Sequence, residues 1–182
     1  LQRISDIELL LFGGWMGWKT TKEEKTKISE ESGKMKANEN QVKRRTGPLG
    51  VAVKGIIRQG GKYLLIRRAA NSSFDPCLWD LPGGKLDYGE ELAETLMREV
   101  KEETSLTIKV ENPFDTWHFF KDEVFVTGIT FLCEYVNGNV VLSHEHSDFA
   151  WIEPDEYSRY PLSTSLEPQL SSYKGFLKRK KP

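Results

Sequence analysis

Glu99, Glu102 and Glu103 stand at i, i+3 and i+4 in a Glu-rich stretch that follows Pro82-Gly83-Gly84. On a helix this spacing stacks three carboxylates within one turn. Such a cluster is unfavourable unless a cation sits among the side chains, and hard oxygen ligands select magnesium, with manganese as a substitute. A divalent cation beside a Gly-Gly turn is suited to phosphate chemistry, because it neutralises phosphoanhydride oxygens and makes bound water more acidic. Arg98 precedes the triad. Its guanidinium stays protonated and cannot ligate a cation, but it can hold Glu90 in two-point geometry and so orient its neighbours. Lys85 and Arg68 flank the stretch and carry donors suited to phosphate oxygens, with Arg67 the weaker candidate. The competing reading is a solvated acidic face, to which Glu91 and Glu94 would also belong.

The elements that must position these groups follow from periodicity. Ala93, Leu96, Met97 and Val100 fit the i, i+3, i+4, i+7 template of a helix packed on a core, with the carboxylates roughly a quarter turn away. Upstream, residues 51–57 and 62–66 are strand-like runs joined around Gln59-Gly60-Gly61, a hairpin. A polar loop over 67–77 leads to a short strand at 78–81 and then to the Gly-Gly turn. Downstream, 106–110, 115–120 and 124–135 are rich in aromatic and β-branched residues, and Asn137-Gly138 reads as a turn. A last strand at 149–152, a helix from about Pro154 through Tyr157, and an amphipathic segment marked by Leu170, Tyr173 and Leu177 close the chain. Strands interleaved with two or three helices predict an α/β fold with a mixed sheet packed between helices.

The segment from Gly84 to Leu106 resembles the Nudix box: Gly, five residues, Glu, seven residues, Arg-Glu, an aliphatic, any residue, Glu-Glu, any residue, Gly, an aliphatic. Gly84, Glu90, Arg98, Glu99, Glu102 and Glu103 occupy fixed positions, with Val100 and Leu106 at the aliphatic ones. With each residue type near 6 or 7% of ordinary composition, so many matches arise by chance in roughly one window in ten million. That decides against the solvated face. The departure is Ser105, which stands where the box has a glycine that closes the helix in a left-handed conformation. Serine there costs roughly a kcal/mol of strain or shifts the turn.

The resemblance implies a Nudix α/β/α sandwich over roughly 47–178 and a pyrophosphohydrolase. It implies Glu99, Glu102 and Glu103 as metal ligands, joined by a backbone carbonyl of Gly83 or Gly84, with Glu90 behind Arg98. MutT-type members carry a further glutamate six residues ahead of a late tryptophan, which here makes Glu145, ahead of Trp151, an additional ligand or the general base. Glu102 is the alternative base. The neighbouring His144 and His146 read as surface residues. Members that act on oxidised guanine carry a purine-reading asparagine where this chain has Leu166, and the ADP-sugar branch carries a proline where it has Lys121 and Asp122. The resemblance therefore favours a (d)NTP-type substrate over ADP-ribose or an ADP-sugar. Trp117, His118, Phe119 and Phe120 could stack a base, although an aromatic strand is more often core. Two other outcomes on the same fold are a nucleotide-sensing module without turnover and an isopentenyl diphosphate isomerase, for which Cys77 would be the cysteine.

Bulk properties bound the rest. A chain of 182 residues can bury one proper core, and a formal net charge of -1 argues against a nucleic-acid surface over the whole molecule. The basic run 178–181 reads as a solubilising tail. Two cysteines without metal spacing fit a reducing, cytoplasmic setting. The apolar run at 9–18 is too short to span a bilayer, which predicts no stable membrane insertion. Residues 20–45 are charged, polar and poor in aromatics, so 1–46 reads as a poorly ordered extension ahead of a domain at 47–182.

Overall fold

The computed structural model describes residues 46–180. The expectations for the extension and for the apolar run at 9–18 lie outside those residues.

Six strands form one mixed sheet. β1 (Leu49–Gln59) turns through Gly60 and Gly61 into β2 (Lys62–Arg68), both glycines having positive φ, as the hairpin requires. β3 (Trp79–Asp80) is short. After α1 (Leu92–Thr104), β4 (Thr107–Lys121) and β5 (Val124–Asn137) form a long antiparallel hairpin. β4 runs through both segments expected as separate strands, because register shifts around Pro113 absorb the irregularity there. β6 (His146–Ile152) begins three residues earlier than expected. The expected helix at Pro154 is instead a 3-10 turn at Tyr157–Arg159, and α2 (Leu166–Lys180) ends the described chain.

The strand order is β3-β2-β1-β5-β4, with β6 paired to β2. β1 runs parallel to β5 from Leu49 through Arg58 but pairs with β2 only at Arg58 and Gln59. The two strands therefore diverge beyond the turn, and the far edge of β1 is left for another partner.

Side chains alternate between two cores, as period-2 geometry demands. Val53, Ile57, Leu64, Ile66, Phe131 and Cys133 face Leu96 and Val100 of α1. Ile56, Tyr63, Leu65, Leu132 and Ile152 face Leu166, Leu170 and Tyr173 of α2. Strands covered on both faces read as continuous apolar runs, which is what 51–57 and 62–66 show. The result is the α/β/α sandwich. Met97, expected in the apolar stripe, is exposed, and Thr95, Glu103 and Thr104 are buried in its stead. The helix is rotated slightly from the ideal stripe, so its buried face carries one carboxylate of the triad.

Candidate active site

The site is built around a strap. Residues 82–86 lie along the free edge of β1: Gly55 N–H donates to the Pro82 carbonyl (2.9 Å), Val53 to Gly84 (2.9 Å) and Leu86 to Val51 (3.0 Å). Gly83 has φ 139°, and a Cβ there would land on the Val53 carbonyl oxygen. A Cβ on Gly84 would land on the Glu99 carboxylate. The first glycine lets the chain approach β1, and the second lets a carboxylate rest against the strap. Gly83 N–H then donates to Glu103 Oε2 at 2.8 Å.

Arg98 organises the acids. Its Nε and Nη2 donate to the two oxygens of Glu90 at 2.8 and 3.0 Å, the two-point pairing expected from the sequence. Nη1 donates to Glu99 at 2.9 Å and to Glu102 at 3.4 Å. The Arg98 hydrogen bonds and the Thr95 hydroxyl hold the Glu90 carboxyl down at about 2. The triad is graded in exposure, with side chains 18% exposed at Glu99, 60% at Glu102 and 10% at Glu103. Burial pushes Glu99 up, Arg98 opposes this, and the charges of Glu102 and Glu145 push it further up. Burial raises Glu103 to about 8. Acids disfavoured as anions by burial and by one another form an all-oxygen donor set that fits a hard divalent cation. Among the described residues no three potential ligands converge on one point, because Arg98 draws Glu99 and Glu102 to itself while the strap holds Glu103.

Glu145 lies immediately before β6, exposed and close enough to Glu99 to act on its charge. Its carbonyl accepts the Ala69 N–H at 2.8 Å. Arg68 is fastened through Nη2 to Asp80 at 3.0 Å, and its charge favours the anion of Glu103. Lys85, within the strap, is exposed, and its carbonyl accepts from Arg98 Nη2 at 3.4 Å. Arg67 turns away, donating to the Cys77 carbonyl at 3.0 Å.

A model of the NUDIX domain matches residues 48–173. The chain is a Nudix hydrolase. It is 30% identical over 134 residues to the nucleoside triphosphatase NudI of Salmonella agona, a match covering 67% of this chain and 94% of that protein. The crystal structure of a MutT protein from Methanosarcina mazei Go1 superposes with a TM-score of 0.66 at 31% identity, over 76% of this chain and 99% of that one. An ADP-ribose pyrophosphatase from Streptococcus suis shares the fold alone, with a TM-score of 0.54 at 20% identity over 73% of this chain and 94% of that one. Nudix enzymes cleave phosphoanhydrides of small nucleotide substrates and use divalent metal ions.

Two features of this Nudix site went unseen in the sequence. His146, expected at the surface, is buried with Nε2 3.5 Å from Glu103 Oε1. His146 opens β6 just beyond the register shift at Arg67 and Arg68, and its ring is buried against Glu103 of α1, whereas His144 stays exposed. Burial holds the His146 imidazole below its usual pKa, with the charge of Arg68 acting the same way. The second is a buried ion cluster in which Asp80 accepts from Lys54, from Arg68 and from the Leu81 N–H. A lone lysine inside the apolar run 51–57 was the available signal. No helix among the described residues is long and apolar enough to cross a membrane.

Proposed function

We propose that this Nudix hydrolase is a magnesium-dependent pyrophosphohydrolase of nucleoside triphosphates, ribo or deoxy, acting in the cytoplasm. The observation that carries the reading is Glu99, resting on the Gly84 backbone with the charges of Glu102 and Glu145 acting on it. The likeness to a nucleoside triphosphatase over nearly that protein's full length supports the substrate class. Leu166, wholly buried in the α2 core, offers a purine no polar group.

Glu99, Glu102 and Glu103 would hold magnesium, with manganese as a substitute, aided by a carbonyl of Gly83 or Gly84. The Gly84 carbonyl already accepts from Val53, which favours Gly83. The cation, when bound, neutralises phosphate oxygens and lowers the pKa of water. Arg98 would release Glu99 and Glu102 while its bidentate hold on Glu90 keeps the guanidinium in place. Glu145, exposed ahead of β6, would accept the proton of the attacking water, with Glu102 the alternative base. Lys85 and Arg68 would bind phosphate oxygens.

The test is product analysis with magnesium across NTPs, dNTPs, ADP-ribose and dinucleoside polyphosphates. Nucleoside triphosphates should yield monophosphate and pyrophosphate, and Glu102→Gln should lower kcat by about 10²-fold or more. Undiminished turnover in that variant would sink the mechanism. Turnover confined to ADP-ribose would reassign the substrate.

A further inference from the structure

We propose that Phe74 and Phe119 are the two jaws of a nucleobase clamp, closed on each other in the free protein, with residues 70–74 as the moving jaw. The proposal rests on the nucleotide reading above and adds the group that recognises the base.

One jaw is fixed. Trp117 lies flat over Gly128, where a Cβ would strike its ring. Its Nε1–H donates to Thr130 Oγ1 at 3.0 Å, the Thr130 hydroxyl donates to Gln169 Oε1, and Gln169 Nε2 donates to the Ser165 carbonyl at 2.8 Å. This buried chain ties the indole to α2. Phe119 stacks on it at 5.8 Å and 7° between planes. Strand parity sends His118 and Phe120 to the opposite face, so of the four aromatic residues in this run only two build this wall.

The other jaw is a loop. Phe74 stacks on Phe119 at 5.0 Å and 19°, and both rings are only half-buried. The loop is clipped on either side of the jaw: Ala69 N–H donates to the Glu145 carbonyl, and Asp75 accepts the Thr164 N–H at 3.1 Å. Between those clips, Ser72 bonds to Ala69 and Phe74 within the loop itself. Asp75 and Cys77 adopt left-handed φ of 45° and 63°, conformations that non-glycine residues hold only under constraint. Admitting a base requires the rings to part by about 3.5 Å, one aromatic thickness. The segment between the clips is short and bonded within itself, and the parting of the rings is assigned to it.

The surroundings suit a nucleotide. Arg68 and Lys121 each lie 5.6 Å from the Phe74 ring, so the jaw is flanked by two cations that suit a polyphosphate. Arg68 is also joined to Asp80, and the root of the jaw is bonded to the backbone of Glu145. Base capture is thereby placed beside the hydrolytic acids.

The experiment compares each nucleoside triphosphate with methyl triphosphate, which lacks a base, in wild type, Phe74→Ala, Phe74→Leu, Phe74→Trp and Phe119→Ala. Affinity for an α,β-imido nucleoside triphosphate and for inorganic tripolyphosphate is measured alongside by calorimetry. The preference for the base-bearing ligand should fall about tenfold or more in the Ala and Leu variants, through KM and Kd, and Trp should restore it. Phe74→Leu keeps apolar volume without a π face, so it separates stacking from folding. An unchanged preference in folded Phe74→Leu, or equal losses on both ligands, would overturn the clamp. Wild type that binds the imido nucleotide but cleaves nothing would refute hydrolysis and leave the Kd ratio to decide the clamp. Wild type that binds neither would refute both.

Discussion

Asp80 is 1% exposed and touches two cations and a backbone N–H at once. Burial alone would raise its pKa, but the charges and hydrogen bonds of Lys54 and Arg68 win, and the carboxyl titrates below its usual value of 3.8. A depressed folded-state pKa stabilises the protein above the unfolded value, and that stability is lost as pH falls through the folded one. Asp80→Asn should strand Lys54 as a buried, unpaired charge and cost about 3–5 kcal/mol in urea unfolding at neutral pH. It should also remove part of the acid-limb loss seen in the parent. A variant as stable as the parent would mean that Lys54 finds water or another acceptor. Ser105 presents the opposite case. It holds φ 60°, ψ 8° at the end of α1, the left-handed geometry that the Nudix box reserves for glycine, and its N–H still caps Lys101. Serine keeps the turn at a cost in strain. Ser105→Gly should therefore gain about 0.5–1 kcal/mol, read as a higher melting temperature, with only a 3.4 Å hydroxyl contact to the Val141 carbonyl lost. A lower melting temperature would show that the hydroxyl matters more than the backbone.

The strap and α1 act together as elements. The helix buries Leu96 and Val100, and Glu103, one turn beyond Val100, is carried inward by the same face until the strap's Gly83 N–H meets it. The two strap glycines fail differently when substituted. Gly83→Ala sets a methyl group against the backbone of β1 at a positive φ, a conflict no side-chain motion relieves, and should cost about 1–3 kcal/mol or more, visible as loss of folded protein. Gly84→Ala meets the far end of the flexible Glu99 side chain. It should leave the melting temperature near that of the parent while turnover drops, because Glu99 is displaced. Matching stability losses in both variants would contradict this division of labour.

At the scale of the whole domain, α1 and α2 seal the two faces of the sheet among the described residues, and the acids gather where the strap completes the free edge of β1. With no cation, Glu99 and Glu103 resist ionisation, so the site opposes its own charge. A divalent cation should relieve that opposition and bind the folded state selectively. Magnesium or manganese should therefore raise the melting temperature, and chelation should lower it; saturation to a hundred times Kd corresponds to about 2.7 kcal/mol. A melting curve indifferent to both ions would remove the proposed cation from the site.

The sequence by itself determined the family, the fold class and the Arg98–Glu90 pairing, because these follow from local spacing: carboxylates three and four apart share one helix face, and Glu90, just ahead of α1, lies within reach of the long Arg98 side chain. It also fixed the hairpin at Gly60 and Gly61 and the two-faced burial of β1 and β2. Tertiary structure alone decided which residues from distant segments meet. His146 reaches Glu103 because β2 and β6 pair in a register that starts at Arg68. Asp80 meets Lys54 across 26 residues, since a two-residue strand carries no periodicity to announce its inward face. Phe74 lies on Phe119 because a loop without periodic pattern folds back over β4. Local spacing encodes a helix face; the partners of a loop or a short strand are set only when the sheet closes.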